Sequence, residues 1–211
     1  MRELGGVRIT KVAVDEKMSN NCYLLRCLAT GEQVLIDAAA EPDVLLDLIG
    51  TDGLRAVVTT HRHWDHHRAL RAVVDATGAE VVAGAPDAEA ITEQTGVPVQ
   101  RRLEQGDTVP VGQSSLEVIA IAGHTPGSIA LLLDDSSDGG HPHLFTGDSL
   151  FPGGVGNTFG DADAFVQLLA NVEERVFDRL PDDTWFYPGH GNDSTIGAER
   201  PHLAEWRERG W

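Results

Sequence analysis

Three imidazoles and one carboxylate occur within six residues of the chain, between His61 and His66. In an extended segment, side chains two residues apart point in the same direction, so His61 and His63 can bind one ion together. Asp65 and His66 come next, at the predicted start of a helix over residues 65–77, and we expect them to face a second position. The alternative is a helix-capping Asp65 beside surface histidines. The density of donor atoms favours a metal site.

Three further candidate ligands each follow a glycine after an apolar segment, and these are His124, Asp148 and His190. Glycine lets the backbone turn sharply and approach a bound ion, and loops at strand ends are where sites usually lie. The full candidate set has five imidazoles, two carboxylates and no thiolate, which suits Zn²⁺, Fe²⁺ or Mn²⁺ better than Mg²⁺ or Ca²⁺. Seven ligands exceed one tetrahedral site. The sequence therefore predicts two ions that share a bridging carboxylate and a bridging water.

The spacing of these residues, HxHxDH followed by separate His, Asp and His, resembles the metallo-β-lactamase superfamily over residues 22–190. The resemblance implies two metal ions, each held by three side chains and joined by one carboxylate. The implied ligands are His61, His63 and His124 for one ion, Asp65, His66 and His190 for the other, and Asp148 as the bridge. The implied fold is α/β, a four-layer αβ/βα sandwich of two mixed β-sheets with helices on the outer faces. We expect a single metallo-β-lactamase-like domain over residues 1–211.

Within the superfamily the chain is most similar to the glyoxalase II, or hydroxyacyl-thiol hydrolase, branch. Residues 123–127, 145–151 and 188–190 match that branch, and Asp148 stands where the β-lactamases proper have Cys or Ser. The resemblance implies a metal-dependent thioesterase that acts on acyl conjugates of a small thiol through a metal-bridging hydroxide. Asp65 and Asp148 are the expected catalytic carboxylates. Zn²⁺ is the expected metal, and Fe²⁺ or Mn²⁺ is the alternative.

Two departures from that branch bear on the substrate. Asn157 replaces the usual Arg, and the chain ends 21 residues after His190, so we expect no C-terminal helical domain that binds glutathione. The predicted substrate pocket is lined by side chains near the ligands, namely Trp64, Phe151, Asn157 and Tyr187. Asp37 ends a strand and is either a turn former or an acceptor that orients a ligand imidazole. His67 is expected on a helix surface.

Other functions remain open at this point. The persulfide dioxygenases share the motif and resemble the same branch but use one Fe²⁺, so a mononuclear iron oxidoreductase is the strongest alternative. A lactonase or other ester hydrolase is the third candidate, and a metal-binding protein without catalysis is the least favoured. The sequence contains neither a Gly-x-Ser-x-Gly elbow nor a Gly-x-x-x-x-Gly-Lys phosphate loop.

The charge of the chain narrows its partners to a small-molecule substrate. The 211 residues include 33 acidic and 16 basic side chains, a net charge of −17, which argues against nucleic acid and anionic membranes. The first residues lack the basic region and apolar run of a signal peptide, and no apolar stretch approaches a membrane span. Cys22 and Cys27 fit neither a disulfide framework nor a metal knuckle. A cytoplasmic protein with two buried thiols is expected, and its oligomeric state is not indicated.

Alternating strands and helices must position the ligands. Strands are predicted at residues 7–14, 22–28, 33–37, 55–60, 80–83, 109–111, 116–122, 129–133, 144–146 and 184–187. Helices are predicted at residues 41–49, 65–77, 86–95, 161–177 and 201–208, and a polar loop at 134–141. This order suits two sheets packed face to face with helices outside.

Overall fold

Seven strands form the first sheet and lie side by side in chain order in this computed structural model, which describes residues 1–134 and 140–210. They are β1 (Arg2–Leu4), β2 (Val7–Val14), β3 (Asn20–Cys27), β4 (Gln33–Ile36), β5 (Ala56–Thr59), β6 (Glu80–Gly84) and β7 (Arg101–Leu103). β1 to β4 pair antiparallel, whereas β4 to β7 pair parallel. Parallel strands need crossover connections. Three helices supply them, namely α1 (Pro42–Ile49), α2 (Leu70–Thr77) and α3 (Ala88–Thr95).

Six later strands form the second sheet. They are β8 (Thr108–Val111), β9 (Ser114–Ala120), β10 (Ile129–Leu133), β11 (His143–Gly147), β14 (Trp185–Pro188) and β15 (Ser194–Thr195). Their order across the sheet is β15-β14-β11-β10-β9-β8, and only β11 and β14 pair parallel. Between β11 and β14 lie a small hairpin of β12 (Leu150–Phe151) and β13 (Gly154–Val155), followed by helix α4 (Ala162–Val172).

An apolar core joins the facing surfaces of the two sheets. Val58 of β5 and Phe145 of β11 belong to one buried cluster. The outer face of the first sheet packs against α1 and α2. The outer face of the second sheet packs against α4 and α6 (Leu203–Arg209), where Leu168 and Trp206 are buried together. The two mixed sheets with helices outside confirm the predicted α/β sandwich.

The predicted helix over residues 65–77 is wrong in its first turns. A 3₁₀ turn covers Trp64–His66, and α2 starts only at Leu70. The backbone leaves helical geometry at His67, where φ is −146°. Nε2 of the His67 ring donates a hydrogen bond to the carbonyl oxygen of Arg62 at 3.1 Å. This bond closes the segment that contains the ligands into a compact turn. His67 is therefore buried and does not lie on a helix surface.

The other predicted elements differ from the structure mainly at their ends. α4 gives way to a π-helical turn at Glu173–Phe177 instead of continuing to residue 177 as an α-helix. Strands of two or three residues had no sequence signal, because so short a segment shows no period; these are β1, β7, β12, β13 and β15. The four-residue helix α5 (Ile196–Glu199) was also not predicted. The predicted loop at 134–141 lies largely outside the described residues. Within residues 1–134 and 140–210, none of the helices is long and apolar enough to cross a membrane.

Replacing Gly84 with Ala should destabilise the fold, because β6 runs against the loop that precedes β10. An added Cβ would lie 2.0 Å from the carbonyl oxygen of Gly127. We expect the free energy of unfolding in urea to fall by about 1–3 kcal/mol, the usual cost of overpacking. Gly6→Ala is the control, since its Cβ would meet Ser114 Oγ at 3.6 Å. Equal stability of the two variants would contradict this close approach of the two backbones.

Candidate metal centre

The ends of four strands come together at one edge of the sandwich. β5 leads to His61, β9 to His124, β11 to Asp148 and β14 to His190. β9 and β11 both pair antiparallel with β10, and β11 pairs parallel with β14, so these three strands run in the same direction. The side chains that follow them are therefore delivered to the same place.

His61, His63 and His124 form the first ligand group, with one nitrogen from each lying within 4.8 Å of the others. Nδ1 of His63 is 2.9 Å from Nε2 of His124. The ring centroid of His61 is 4.8 Å from the centroid of each of the other two rings. Three imidazole nitrogens arranged in this way can bind one ion such as Zn²⁺.

Asp65, His66 and His190 form the second ligand group. Nε2 of His66 lies 3.2 Å from Nε2 of His190 and 3.5 Å from Oδ2 of Asp65. Nε2 of His190 is 3.4 Å from the same Asp65 oxygen. The set offers two nitrogens and one carboxylate oxygen to a single point.

Asp148 lies between the two ligand groups. Its Oδ1 is 3.3 Å from Nε2 of His66, and its Oδ2 is 3.4 Å from Nε2 of His190 and 3.7 Å from Nε2 of His124. The neighbouring Gly189 makes this position possible, because a Cβ there would lie 2.2 Å from Oδ1 of Asp148. The carboxylate can therefore touch an ion in either group.

Hydrogen bonds that Nδ1 donates to oxygen acceptors turn the Nε2 atoms of three ligand rings inward. Nδ1 of His124 donates to the carbonyl oxygen of Asn157 at 2.7 Å, and Nδ1 of His190 donates to that of Met18 at 2.8 Å. A carbonyl only accepts, so Nδ1 carries the proton and Nε2 keeps a lone pair for a metal. Nδ1 of His66 donates to Oδ2 of Asp37 at 2.9 Å. Asp37 therefore accepts the hydrogen bond that orients the His66 ring, which is one of the two roles expected from the sequence. Its φ of 57° also places it in a turn, which is the other expected role.

Two buried atoms in the cluster have no hydrogen-bond partner in the described part of the chain, and both fit a bound cation. They are Nε2 of His61 and Oδ1 of Asp148. Buried polar atoms are nearly always satisfied, so an orphaned acceptor calls for a group that supplies a partner. A divalent metal ion would satisfy the lone pairs of both atoms at once.

The first ligand group favours neutral rings. Burial lowers the pKa of His61 well below its ordinary value, and the neighbouring His66 adds to this effect. Burial also lowers the pKa of His124, and it lowers that of His63 to about 4. Neutral imidazole is the form that binds a metal.

The second ligand group attracts positive charge. Burial alone would lower the pKa of His66, but the carboxylates of Asp148 and Asp37 raise it well above its ordinary value. Burial also lowers the pKa of His190, but its hydrogen bonds to the carboxylates of Asp148 and Asp65 outweigh this effect and raise the pKa to about 10. In the absence of a metal, protons therefore occupy the positions where cations are favoured.

The predicted pocket residues occupy different environments. Trp64 is 53% exposed, with the Arg68 guanidinium 4.8 Å from its ring centroid. The ring of Phe151 lies 6.4 Å from that of His190. Asn157 takes part through its backbone, as the acceptor of His124. Tyr187, by contrast, is buried in the core between the sheets, stacked on Phe145, and its hydroxyl bonds to His143, so its prediction as a pocket residue is corrected.

Three residues near the cluster had not been predicted from the sequence. Nδ2 of Asn20 donates to Oδ2 of Asp65 at 3.0 Å, but nothing in its strand sequence marks it. Phe159 is 71% exposed and lies 5.6 Å from the His63 ring; its place in a glycine-flanked polar loop was the available signal. Asp87 is fully buried and bonds to the loops that contain His63 and His124. Its sequence context resembled an ordinary helix start.

The fold and the clustered donors define an α/β sandwich protein with a divalent metal centre. The chain belongs to the Metallo-beta-lactamase superfamily, whose family model matches residues 16–190.

The chain is similar to several proteins of known name or structure. A hydroxyacylglutathione hydrolase of Polaromonas sp. (strain JS666) is 36% identical over 170 residues, which make up 80% of this chain but 60% of that protein. The chain thus spans less than two thirds of the length of that relative. ETHE1 from Myxococcus xanthus matches with a TM-score of 0.79 at 31% identity, over 95% of this chain and 85% of the other. TTHA1623, crystallised in a di-iron-bound form, matches with a TM-score of 0.70 at 29% identity. The match covers 90% of this chain and 96% of the other.

Asp37→Asn should weaken metal binding at the second ligand group by about 10- to 100-fold, because the His66 ring loses its charged acceptor. Asn tolerates the positive φ of 57° at this position, so the turn is kept. Competition with a chromogenic chelator measures the affinity. Asp52→Asn, which removes the same charge from a surface pair with Arg26, is the control. An unchanged affinity in the Asp37 variant would count against the orienting role.

Zinc binding to the metal-free protein should release protons from the second ligand group and few from the first. His66 and His190 hold protons at pH 7 because their pKa values are raised, whereas His63, with a pKa of about 4, is already neutral. Affinity at the second group should therefore rise with pH up to about 10, while affinity at the first should be flat above roughly pH 5. Calorimetry in buffers of different ionisation enthalpy counts the protons. Equal proton release from the two binding events would refute this charge assignment.

Proposed function

We propose that this chain is a metal-dependent hydrolase that cleaves thioesters of a small thiol. The observation that carries the proposal is the convergence of five imidazoles and two carboxylates, in a chain similar to a hydroxyacylglutathione hydrolase. The core shared by both sheets supports our view that residues 1–211 form one domain of this kind. Two free, buried cysteines support a reducing compartment, and we propose the cytoplasm.

The two ligand groups are our candidates for holding two metal ions, with Asp148 contacting both. We propose Zn²⁺, which accepts imidazole nitrogen and carboxylate oxygen. The likeness to TTHA1623, a protein crystallised with two irons, supports a pair of ions and makes Fe²⁺ the first alternative. Mn²⁺ also accepts these ligands.

A pair of divalent ions, when bound, supplies a nucleophilic water at neutral pH and stabilises negative charge on a carbonyl oxygen. The chain's own contribution is to keep the cluster ionised and fixed. Burial opposes ionisation of Asp148, but His66 and His190 hold its pKa well below the ordinary value. Hydrogen bonds from His190 and Asn20 do the same for Asp65, again against the effect of burial. Both carboxylates therefore stay charged at neutral pH.

The leaving group of a thioester suits this site. A thiol has a pKa of about 8.5, so it departs as a thiolate with little protonation. Within the part of the chain that the structure describes, the titratable side chains of the two ligand groups and Asp148 are all engaged as candidate ligands, so none of them is a separate acid for an alkoxide or an amide nitrogen. This argument places thioesters ahead of lactones and other esters.

A mononuclear iron oxidoreductase acting on persulfides is the second candidate. The likeness to ETHE1 supports this candidate. The similarity to hydroxyacylglutathione hydrolases supports hydrolysis more strongly. Metal analysis of the native protein separates the two, because about two ions per chain favours hydrolysis. One iron per chain with oxygen consumption would favour the oxidoreductase.

His61→Ala and Asp148→Ala should each lower kcat/KM for a thioester by about a hundredfold or more, on the order of 3 kcal/mol of barrier, and lower the metal content. The reason is that each variant removes an atom facing a proposed ion. Release of free thiol measures the rate, and a parallel panel of thioesters and lactones ranks the substrates. His202→Ala removes an exposed histidine that pairs with Glu205 on the surface, and it is the control. Full turnover in protein dialysed against a chelator would overturn the proposal.

A further inference from the structure

A cavity of about 390 Å³ lies beside the first ligand group. Its lining includes the candidate ligand His124 together with Arg62, Thr158, Asp161 and Gln167. Arg62 is the residue between the candidate ligands His61 and His63. A molecule held in this cavity would therefore lie next to the proposed reaction centre.

The backbone of Arg62 is fixed on both sides. Its N–H donates to Oδ2 of Asp87 at 2.9 Å, and its carbonyl oxygen accepts from Nε2 of His67 at 3.1 Å. Asp87 is fully buried and also accepts from Oγ1 of Thr125 at 2.5 Å and from the N–H of Gly127 at 3.0 Å. The Arg62 side chain thus starts from a rigid point shared with the loop of His124.

The guanidinium of Arg62 retains unused donors. Its Nε is 3.8 Å from Oδ1 of Asp87, which is beyond hydrogen-bond distance, and the side chain is 42% exposed. Its two terminal amino groups make no hydrogen bond within residues 1–134 and 140–210. Arg71 and Arg175, by contrast, use terminal amino groups on backbone carbonyl oxygens.

The charge of the lining favours an anion at Arg62. Asp161 is the acidic residue of the lining, and its Oδ1 accepts the N–H groups of Asp163 and Ala164 at the start of α4. That carboxylate is therefore compensated by the helix N-terminus. With a net charge of −17, the chain offers an anionic ligand few other positive positions.

We propose that this cavity binds a carboxylate of the substrate and that Arg62 recognises it. The inference rests on the proposed thioesterase function and narrows its substrates to thioesters in which the acyl group or the thiol carries a carboxylate. A guanidinium presents parallel N–H donors that match the two oxygens of a carboxylate. Arg62 is then a specificity-determining residue of the reaction.

The test compares matched substrates with and without the carboxylate. On the thiol side, the acetyl thioester of 3-mercaptopropionate is compared with that of 3-mercaptopropionamide. On the acyl side, the monothioester of adipic acid is compared with that of its monoamide. Metal-loaded wild-type protein should prefer the carboxylate in one of these pairs by about 10- to 100-fold in kcat/KM, mainly through KM.

Arg62→Gln should abolish this preference and leave the amide substrate within about twofold of wild type, because only the charged contact is lost. Arg62→Lys should retain part of the preference, since lysine keeps the positive charge but lacks the parallel N–H donors of the guanidinium. Arg102→Gln, an exposed arginine of β7 outside the cavity lining, is the control. Equal losses on both members of a pair, or no preference in the wild type, would overturn the inference.

Binding without turnover separates this inference from the proposed function. Calorimetry measures the Kd of glutarate and of glutaramide for the metal-loaded protein. Arg62→Gln should raise the Kd of glutarate by about 10- to 100-fold and leave that of glutaramide unchanged. If this holds while no thioester is hydrolysed, the thioesterase proposal fails and the carboxylate site stands. If glutarate binds equally to wild type and Arg62→Gln, the carboxylate site is refuted.

Discussion

The buried carboxylate of Asp148 is the constraint on which the rest of the site depends. Removing a charge from water is costly unless partners compensate for it. Here His66 and His190 approach one carboxylate oxygen each, and Oδ1 still lacks a hydrogen bond within the described residues. The cluster is therefore most stable when positive charge lies among its donors. Protons on the second ligand group can supply that charge, and divalent ions can replace them.

The second sheet makes this concentration of charge possible. β11 and β14 pair parallel, so their ends deliver Asp148 and His190 together, and the pairing register shifts between Phe145 and Gly147. Gly147 adopts a φ of 48° with its Cα against Thr60, where a Cβ would lie 2.8 Å from Thr60 Oγ1. Only a residue without a side chain brings the two sheets this close at their shared edge. The approach places Asp148 beside the donors that follow β5.

Features of the fold and the site that arise from local sequence patterns could be predicted, whereas those that arise from contacts between distant segments could not. The strands of four or more residues and the seven clustered side chains were predictable, because alternation and glycine at strand ends are local patterns. The start of α2 was not, because His67 is drawn back to Arg62 by a contact that has no periodic signal. Tyr187 was misplaced because a strand residue three positions before a candidate ligand, here His190, can still face the core between the sheets. Asp87 was missed because its partners come from two separate loops.

The positive side chains near the cluster differ in how much of their charge is already compensated. Arg68 pairs with Asp15 at 2.7 Å and also lies against Trp64, so little of its charge reaches a ligand. Lys11 pairs with Asp193 at 2.6 Å. Arg62 lies 3.8 Å from the buried Asp87, and its terminal amino groups make no hydrogen bond to any residue that the structure describes. In a chain of net charge −17, an anionic substrate would otherwise meet repulsion on approach. Arg62, which lines the cavity beside His124, is the protein group that we propose holds the carboxylate of such a substrate.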